Sequence, residues 1–136
     1  VKGRVLIIAG SDPSGGAGVQ ADIKTVTALG GYAAAAITAL TVQNTTGVSA
    51  VHPVDPAVIA AQIAAVLDDI GADAIKIGMI GDRASGAAIA DAIAFHATAI
   101  PVVIDPVLAA TSGDSLAGEG VAALILERLT PLAAVI

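Results

Sequence analysis

Four glycines crowd into residues 9–18, which read AGSDPSGGAG and follow a short apolar run at residues 5–9. The segment after them has apolar residues at helical spacing, at Val19, Ile23 and Val26. A glycine-dense turn that leaves a strand and opens a helix exposes main-chain N–H groups, because no side chains shield them. Such a turn can bind a phosphate, a dinucleotide or a small polar molecule, so the sequence poses a choice among three ligand classes.

The residues of the turn bear on that choice. A phosphate-binding P-loop ends in Gly-Lys-Ser/Thr, but this chain has Gly-Gly-Ala at residues 15–17. Residues 16–21 match the dinucleotide pattern G-x-G-x-x-A, yet the first glycine lies well beyond the strand, and the next strand ends in Gln43 rather than an acid. The third reading is a small polar molecule held by main-chain N–H groups, with Asp22 facing the site. A purely structural role for the glycines stays open.

Three further polar residues lie at the end of apolar runs or inside them. The amide of Gln43 offers one acceptor and two donor hydrogens, which suits the edge of a nitrogen heterocycle or the capping of a loop. Lys76 lies inside an otherwise apolar strand, where an ammonium needs a partner or a solvated cleft, and we favour an ion pair. Asp105 could hold Mg²⁺ through water or accept hydrogen bonds from nearby backbone.

Apolar runs and helical patterns alternate along the chain. The predicted strands are residues 5–9, 32–42, 74–80, 101–105 and 133–136. The predicted helices follow the glycine turn and then occupy 57–70, 84–97 and 120–129, with a loop at 108–119. A repeat of about thirty residues is the period of βαβ units, which predicts an α/β fold with a parallel sheet covered by helices on both faces. Ligands bind such sheets beyond the carboxyl ends of the strands.

Composition limits the classes of partner. The 136 residues carry a net charge of −6 and no Lys/Arg cluster, which argues against nucleic acid and against anionic membrane surfaces. Cysteine is absent, so disulfides and thiolate metal sites are excluded. No apolar run approaches the roughly 20 residues of a membrane span, and we expect a soluble, cytoplasmic protein.

Four segments together carry a resemblance to a known family. They are IIAGSDPSGGAGVQADIKT, TALTVQNT, KIGMIGD and VVIDPVLAATSGDSL, in the family's order and spacing over nearly the whole chain. With them the chain resembles the hydroxymethylpyrimidine/phosphomethylpyrimidine kinases of thiamine biosynthesis, in the ribokinase-like superfamily. Pyridoxal kinases share the general pattern, but Ser-Asp-Pro-Ser-Gly-Gly-Ala-Gly together with Gln-Asn-Thr indicates the pyrimidine enzymes. The resemblance implies a three-layer, Rossmann-like domain with a parallel sheet.

The resemblance also implies a substrate and a set of site residues. The glycine-rich loop would hold the pyrimidine and not an ATP phosphate. Gln43 would hydrogen-bond the pyrimidine, with Asp22 and the backbone near Gly10 around its amino and hydroxymethyl groups. The implied apolar walls of the site are Ala17, Val42, Met79 and Val107.

The implied reaction is ATP-dependent phosphorylation of 4-amino-5-hydroxymethyl-2-methylpyrimidine, and then of its monophosphate. In-line phosphoryl transfer of this kind depends on positioning and on charge neutralisation. ATP and Mg²⁺ are the implied cofactors, and Asp105 would lie toward the phosphates and contact Mg²⁺ through water. The resemblance further implies a homo-oligomer.

The chain departs from the family's pattern after its last apolar run. Kinases of the superfamily carry, in their second half, an Asn/Glu segment for Mg²⁺ and a Gly-Thr-Gly-type helix start that binds the moving phosphate. Neither motif occurs here, so we expect residues 1–136 to be the truncated, N-terminal part of a single ribokinase-like kinase domain, without a catalytic residue of its own. Three alternatives stay open: a pyridoxal kinase-like enzyme, a non-catalytic pyrimidine-binding fragment and a nicotinamide-dependent dehydrogenase.

Overall fold

A five-stranded sheet forms the centre of the computed structural model, which describes residues 2–136. Its strands are β1 (Arg4–Ser11), β2 (Tyr32–Asn44), β3 (Gly47–Pro53), β4 (Ala74–Ile77) and β5 (Val102–Ile104). The order across the sheet is β3-β2-β1-β4-β5, so the first strand of the chain lies in the middle. β1 pairs in parallel with β2 and β4, and β4 pairs in parallel with β5, as the alternation of strands and helices predicts.

The α-helices found across residues 2–136 are α1 (Gly18–Ala28), α2 (Pro56–Asp69), α3 (Arg83–His96) and α4 (Val121–Leu124). Carboxylates fix where two of them begin. Asp55 accepts the Ala57 N–H at 2.8 Å, and Asp82 accepts the Ser85 N–H at 2.7 Å, which satisfies donors that a helix start leaves unpaired. Gly30 follows α1 with a φ of +85°, a left-handed conformation that glycine adopts without strain. Across the described residues, no helix has both the length and the apolar character needed to cross a bilayer.

Residues of β1 alternate between two separately packed layers. Leu6 and Ile8 are buried in the larger core, which α2, α3 and α4 complete from one face of the sheet. Ile7 and Ala9 point to the opposite face and pack against Val19 of α1. The alternation is the two-residue period of a strand, and burial on both sides makes the strand a continuous apolar run. The prediction of helices on both faces is therefore confirmed.

One strand is antiparallel, which the sequence pattern does not predict. β2 continues to Asn44, and β3 returns beside it with Gln43 opposite Val48. Asn44 makes the turn, since its side-chain oxygen accepts the Thr46 N–H at 2.9 Å and the Thr46 hydroxyl at 2.6 Å. Beyond Leu40, β2 pairs with β3 and no longer with β1. The sheet is therefore mixed rather than purely parallel, and a hairpin extends from its carboxyl edge.

Three predicted strands are shorter than expected, and one of them, β5, loses a residue at each end of the predicted range 101–105. β4 ends at Ile77 and not at residue 80, because the ladders to β1 and β5 stop there, at Ile8 and Ile104. Residues 133–136 form no continuous strand; Val135 makes an isolated parallel bridge to β5. These differences arise at the ends of strands, where pairing partners decide how far a ladder continues.

The helix predicted at residues 120–129 changes its geometry midway. Val121–Leu124 is α-helical, whereas Ile125–Leu129 forms a wider π-helical turn. Pro131 follows closely and has no N–H with which to extend the α-helical pattern, and the Thr130 hydroxyl donates to the Ile125 carbonyl at 3.0 Å. The apolar side of this segment still packs into the larger core.

Candidate functional site

A narrow cleft opens where the carboxyl ends of β1 and β2 meet the start of α1. Its lining comes from five parts of the chain: Gly10, Ser11, Asp12, Ala17, Gly18, Thr41, Gln43, Met79, Ala110 and Leu116. Four of the predicted site residues are among them: Gly10, Ala17, Gln43 and Met79. The cleft lies at the carboxyl edge of the sheet, which is where a ligand is expected in this class of fold.

The glycine-rich loop closes around the carboxylate of Asp12, which is 2% exposed. One carboxylate oxygen accepts the Ser14 N–H at 2.8 Å, and the other accepts the N–H groups of Gly16 at 3.0 Å and Ala17 at 2.8 Å. Burial raises the pKa of Asp12, but hydrogen bonds from the Ser14 hydroxyl and from these N–H groups outweigh it, and the pKa lies below the ordinary value of 3.8. The loop thus binds an anion that belongs to the chain itself.

This closure bears on the ligand classes considered for the turn. The N–H groups of residues 14, 16 and 17 have a carboxylate partner, and the Gly15 N–H donates to the Asp12 carbonyl at 3.0 Å. A phosphate within the loop would need these same donors. The geometry therefore favours a neutral polar ligand beside the loop over a phosphate or a dinucleotide inside it.

A chain of hydrogen bonds holds the Gln43 side chain at one wall of the cleft. Gln43 Nε2 donates to Thr41 Oγ1 at 2.7 Å, and Thr41 Oγ1 donates to the Ser11 carbonyl at 2.9 Å. Within residues 2–136, the bond to Thr41 is the one hydrogen bond that the Gln43 side chain makes. Its Oε1 and the second N–H of Nε2 are therefore available to a ligand in the cleft.

The apolar part of the cleft differs from the predicted wall. Met79 and Leu116 are buried in one small cluster, and Val107 packs against that cluster without lining the cleft. Val42 is 51% exposed and lies outside the lining, because it sits between two residues whose side chains point into the cleft. Of the four predicted wall residues, Ala17 and Met79 are the ones placed at the cleft.

The loop at residues 108–119, predicted only as a connection, supplies two lining residues of the cleft. Asp114 ties its tip to β3, since its carboxylate accepts the Ser112 hydroxyl at 2.7 Å and the Val48 N–H at 3.0 Å. These hydrogen bonds, the one from Ser112 first, lower the pKa of Asp114. Only the folded chain brings this loop to the hairpin, so no local pattern could have predicted the contact.

Lys76 joins two acidic side chains beside the cleft. Its ammonium nitrogen is 2.7 Å from Asp22 Oδ2 and 3.8 Å from Asp105 Oδ2, so the predicted ion pair is confirmed. The side chains of Lys76 and Asp22 are each 25% exposed, whereas that of Asp105 is 59% exposed. Neither acid lines the cleft. Asp22 follows Gly18 by one helical turn on α1, and its carboxylate contacts Lys76 rather than lining the cleft.

Lys76→Met is expected to lower the free energy of unfolding by about 1–2 kcal/mol, because two carboxylates then lie together without their cation. Methionine retains the apolar stem of lysine. Urea unfolding measures the loss, with Lys24→Met as the control, since Lys24 is exposed and donates to the Gly15 carbonyl at 2.8 Å. The control is expected to lose less than about 0.5 kcal/mol. Equal losses in the two variants would contradict the role given to Lys76.

These acidic groups do not form a metal site by themselves. Within residues 2–136, no three His, Asp or Glu side chains come together in a way that could hold a metal ion. Asp105, which is predicted to approach Mg²⁺, has the Lys76 ammonium 3.8 Å away. The Lys76 ammonium repels a second cation from the exposed Asp105 carboxylate, so the described residues do not fit Mg²⁺ on their own.

A larger concavity, of about 490 Å³, lies on the outer surface of α2. Its lining is mostly alanine and valine, with Asp55 and Gln62 as the polar members. Asp55 caps α2, and Gln62 accepts the Ile37 N–H at 3.0 Å, so both polar side chains have structural partners. Its lining therefore offers fewer free polar groups to a ligand than the cleft at the carboxyl edge does.

The chain is similar in sequence to the proteins of one known family. The family model described as phosphomethylpyrimidine kinase matches residues 12–136. Among curated proteins, the chain is similar to the hydroxymethylpyrimidine/phosphomethylpyrimidine kinase of Rhizobium meliloti, at 50% identity over 131 residues. That match covers 96% of this chain and 48% of the relative.

Solved structures have the same fold. The phosphomethylpyrimidine kinase from Clostridium difficile matches with a TM-score of 0.87 and 41% identity, covering 96% of this chain and 56% of that one. The pyridoxal kinase from Staphylococcus aureus, solved in complex with pyridoxal, matches with a TM-score of 0.82 and 34% identity, covering 97% of this chain and 48% of that one. The chain thus spans about half the length of these relatives.

Proposed function

This chain belongs to the phosphomethylpyrimidine kinase family, and from that premise we propose that it forms the pyrimidine-binding part of a kinase. The proposed substrates are 4-amino-5-hydroxymethyl-2-methylpyrimidine and its monophosphate, and the proposed phosphate donor is ATP. The observation that carries the proposal is the match of the family model to residues 12–136. The ribokinase-like α/β fold that the chain has in common with its structural relatives supports it.

The cleft has the donors and acceptors that an aminopyrimidine needs. In the proposed complex, Gln43 Oε1 accepts from the exocyclic amino group, and the second N–H of Nε2 donates to the adjacent ring nitrogen. Met79 and Leu116 supply apolar surface for the faces of the ring, and Gly10 lets the ring approach the backbone. Asp22, one turn into α1, is proposed to flank the hydroxymethyl group of the pyrimidine.

Residues 1–136 are proposed to be the N-terminal part of a single ribokinase-like kinase domain. Supporting this, the chain spans 48% of its relative from Rhizobium meliloti. The phosphates of ATP are proposed to bind outside the glycine-rich loop, because Asp12 already uses the loop's donors. Mg²⁺ is a proposed cofactor of the whole kinase, with ligands beyond Asp105. A cytoplasmic homo-oligomer is proposed from the family resemblance.

Gln43→Ala is expected to weaken binding of 4-amino-5-hydroxymethyl-2-methylpyrimidine by about 1–3 kcal/mol, since polar groups of the ring then lose their partner in a confined cleft. Isothermal titration calorimetry on this chain measures the effect. Gln62→Ala is the matched control, because Gln62 lies on α2 and bonds to Ile37, away from the cleft. An unchanged dissociation constant in Gln43→Ala would contradict the proposal.

Pyridoxal is the second candidate ligand, and the likeness to the Staphylococcus aureus pyridoxal kinase favours it. Its ring lacks an amino group beside a ring nitrogen, so it matches the Gln43 amide less well. Titration of both compounds into the same chain separates the two candidates. If pyridoxal bound more tightly than the pyrimidine, pyridoxal would become the proposed substrate.

A further inference from the structure

Thr41 is a buried residue whose hydroxyl lies between the Gln43 side chain and the end of β1. We propose that Thr41 is a positioning residue that sets the orientation of the Gln43 amide and, through it, which pyrimidines the cleft accepts. The choice of ligand rests on the proposed function. Thr41 is 7% exposed, and its Oγ1 lies 2.7 Å from Gln43 Nε2 and 2.9 Å from the Ser11 carbonyl oxygen.

The Thr41 hydroxyl has a single proton, and its two neighbours decide where that proton lies. The Ser11 carbonyl oxygen can only accept a hydrogen bond, so Thr41 donates to it. Thr41 Oγ1 must then accept from Gln43, which places Nε2 rather than Oε1 toward Thr41. The orientation of a side-chain amide is assigned in this way, from the partners that surround it.

The opposite orientation of the amide is disfavoured by the same groups. With Oε1 turned toward Thr41, the Ser11 carbonyl oxygen and Gln43 Oε1 would compete for the single proton of the Thr41 hydroxyl. One of these two acceptors would then have no donor from Thr41. An acceptor without a donor in such a place is destabilising. The orientation of Gln43 is therefore set before a ligand arrives.

A fixed amide presents its acceptor and its donor in a defined order. A 4-aminopyrimidine matches that order, because its amino group donates to Oε1 and its neighbouring ring nitrogen accepts from Nε2. A 4-oxo pyrimidine has a carbonyl and a ring N–H at these places, so donors would face donors and acceptors would face acceptors. Selection between the two rings thus depends on Thr41 as well as on Gln43.

The test compares wild-type, Thr41→Val and Thr41→Ser chains by calorimetric titration with 4-amino-5-hydroxymethyl-2-methylpyrimidine and with its 4-oxo analogue. The wild-type chain is expected to prefer the amino compound by at least about tenfold, the size of one neutral hydrogen bond. Valine has nearly the shape of threonine but lets the amide turn, so the preference is expected to fall to within about threefold. Serine keeps the hydroxyl and is expected to keep the preference.

Thr38→Val is the matched control for loss of a buried hydroxyl. Thr38 lies in the same strand, is fully buried and donates to the Met79 carbonyl at 2.6 Å. This variant is expected to be less stable and to retain the wild-type preference. An unchanged preference in Thr41→Val, or an equal change in Thr38→Val, would overturn the inference.

A second measurement needs neither a ligand nor a folded valine variant. In the isotope-labelled wild-type chain, a nuclear Overhauser effect is expected between a Gln43 Nε2 proton and the protons of the Thr41 side chain. Absence of that signal overturns the inference. If the wild-type chain binds neither pyrimidine, the proposed substrate is wrong, and this signal alone decides whether Thr41 orients Gln43.

Discussion

Gly18→Ala is expected to destabilise the chain by roughly 3 kcal/mol or more, the combined cost of a strained backbone and an atomic overlap. Gly18 begins α1 with a φ of +58°, a left-handed conformation that costs a residue with a Cβ about 1–2 kcal/mol. A Cβ on Gly18 would also overlap the carbonyl oxygen of Gly10. That oxygen belongs to the backbone of β1 and cannot rotate away. Urea unfolding followed by circular dichroism measures the loss.

Alanine substitutions at two other glycines distinguish the cost of the strained backbone from the cost of the atomic overlap. Gly113 has a φ of +92° with open space around a Cβ, so Gly113→Ala is expected to lose about 1–2 kcal/mol from strain alone. Gly16 lies outside the left-handed region, and a Cβ there would be 3.8 Å from its nearest neighbours. Gly16→Ala is therefore expected to change stability by less than about 0.5 kcal/mol. Equal losses at the three positions would contradict the tight contact of Gly18 with β1.

Asp12→Asn is expected to lower the free energy of unfolding by about 2–3 kcal/mol at neutral pH. Both oxygens of the carboxylate accept hydrogen bonds from the loop. An amide replaces one oxygen with an NH₂ group, which would face N–H donors in a site that water hardly reaches. Asp69→Asn is the control for the loss of one negative charge, because Asp69 is an exposed acid at the end of α2.

The Asp12 carboxylate also makes stability depend on pH. Because its pKa in the folded chain is below the ordinary value of 3.8, its contribution is fully present above that value and is lost as the pH falls through the folded-state pKa. The difference in unfolding free energy between the wild type and Asp12→Asn is expected to stay constant from about pH 7 to about pH 5, and to shrink between about pH 5 and about pH 3. A constant difference over that range would contradict the role of the ionised carboxylate.

Much of the fold is encoded locally, and β1 shows why. Its central residues are apolar without interruption and buried on both faces, and a glycine-rich turn follows, so burial, length and turn chemistry indicate the same strand. β3 lacks such agreement, because its seven residues are half-buried or exposed and become a strand only by pairing with β2. Edge strands of this kind depend on a neighbour that local patterns do not reveal.

In the candidate site, too, some residues could be predicted from local sequence and others could not. Gln43 could be predicted because an amide at the end of an apolar strand needs a chemical explanation. Thr41 could not, since a threonine inside such a strand is ordinary β-structure, and only its contacts with Gln43 and Ser11 give it a role. Leu116 reaches the cleft because Asp114 ties its loop to β3, a contact between distant parts of the chain.

The closure of the glycine-rich loop around Asp12 has a consequence for how a small compound is held. A segment that orders itself only when its ligand arrives loses conformational entropy, about 1–2 kcal/mol for each backbone residue. A single heterocycle has few atoms with which to offset such a penalty. Asp12 orders this segment in advance, so the proposed pyrimidine would meet a rigid receptor. The affinity for that proposed ligand would then depend on the fit between ring and cleft rather than on the folding of a disordered loop.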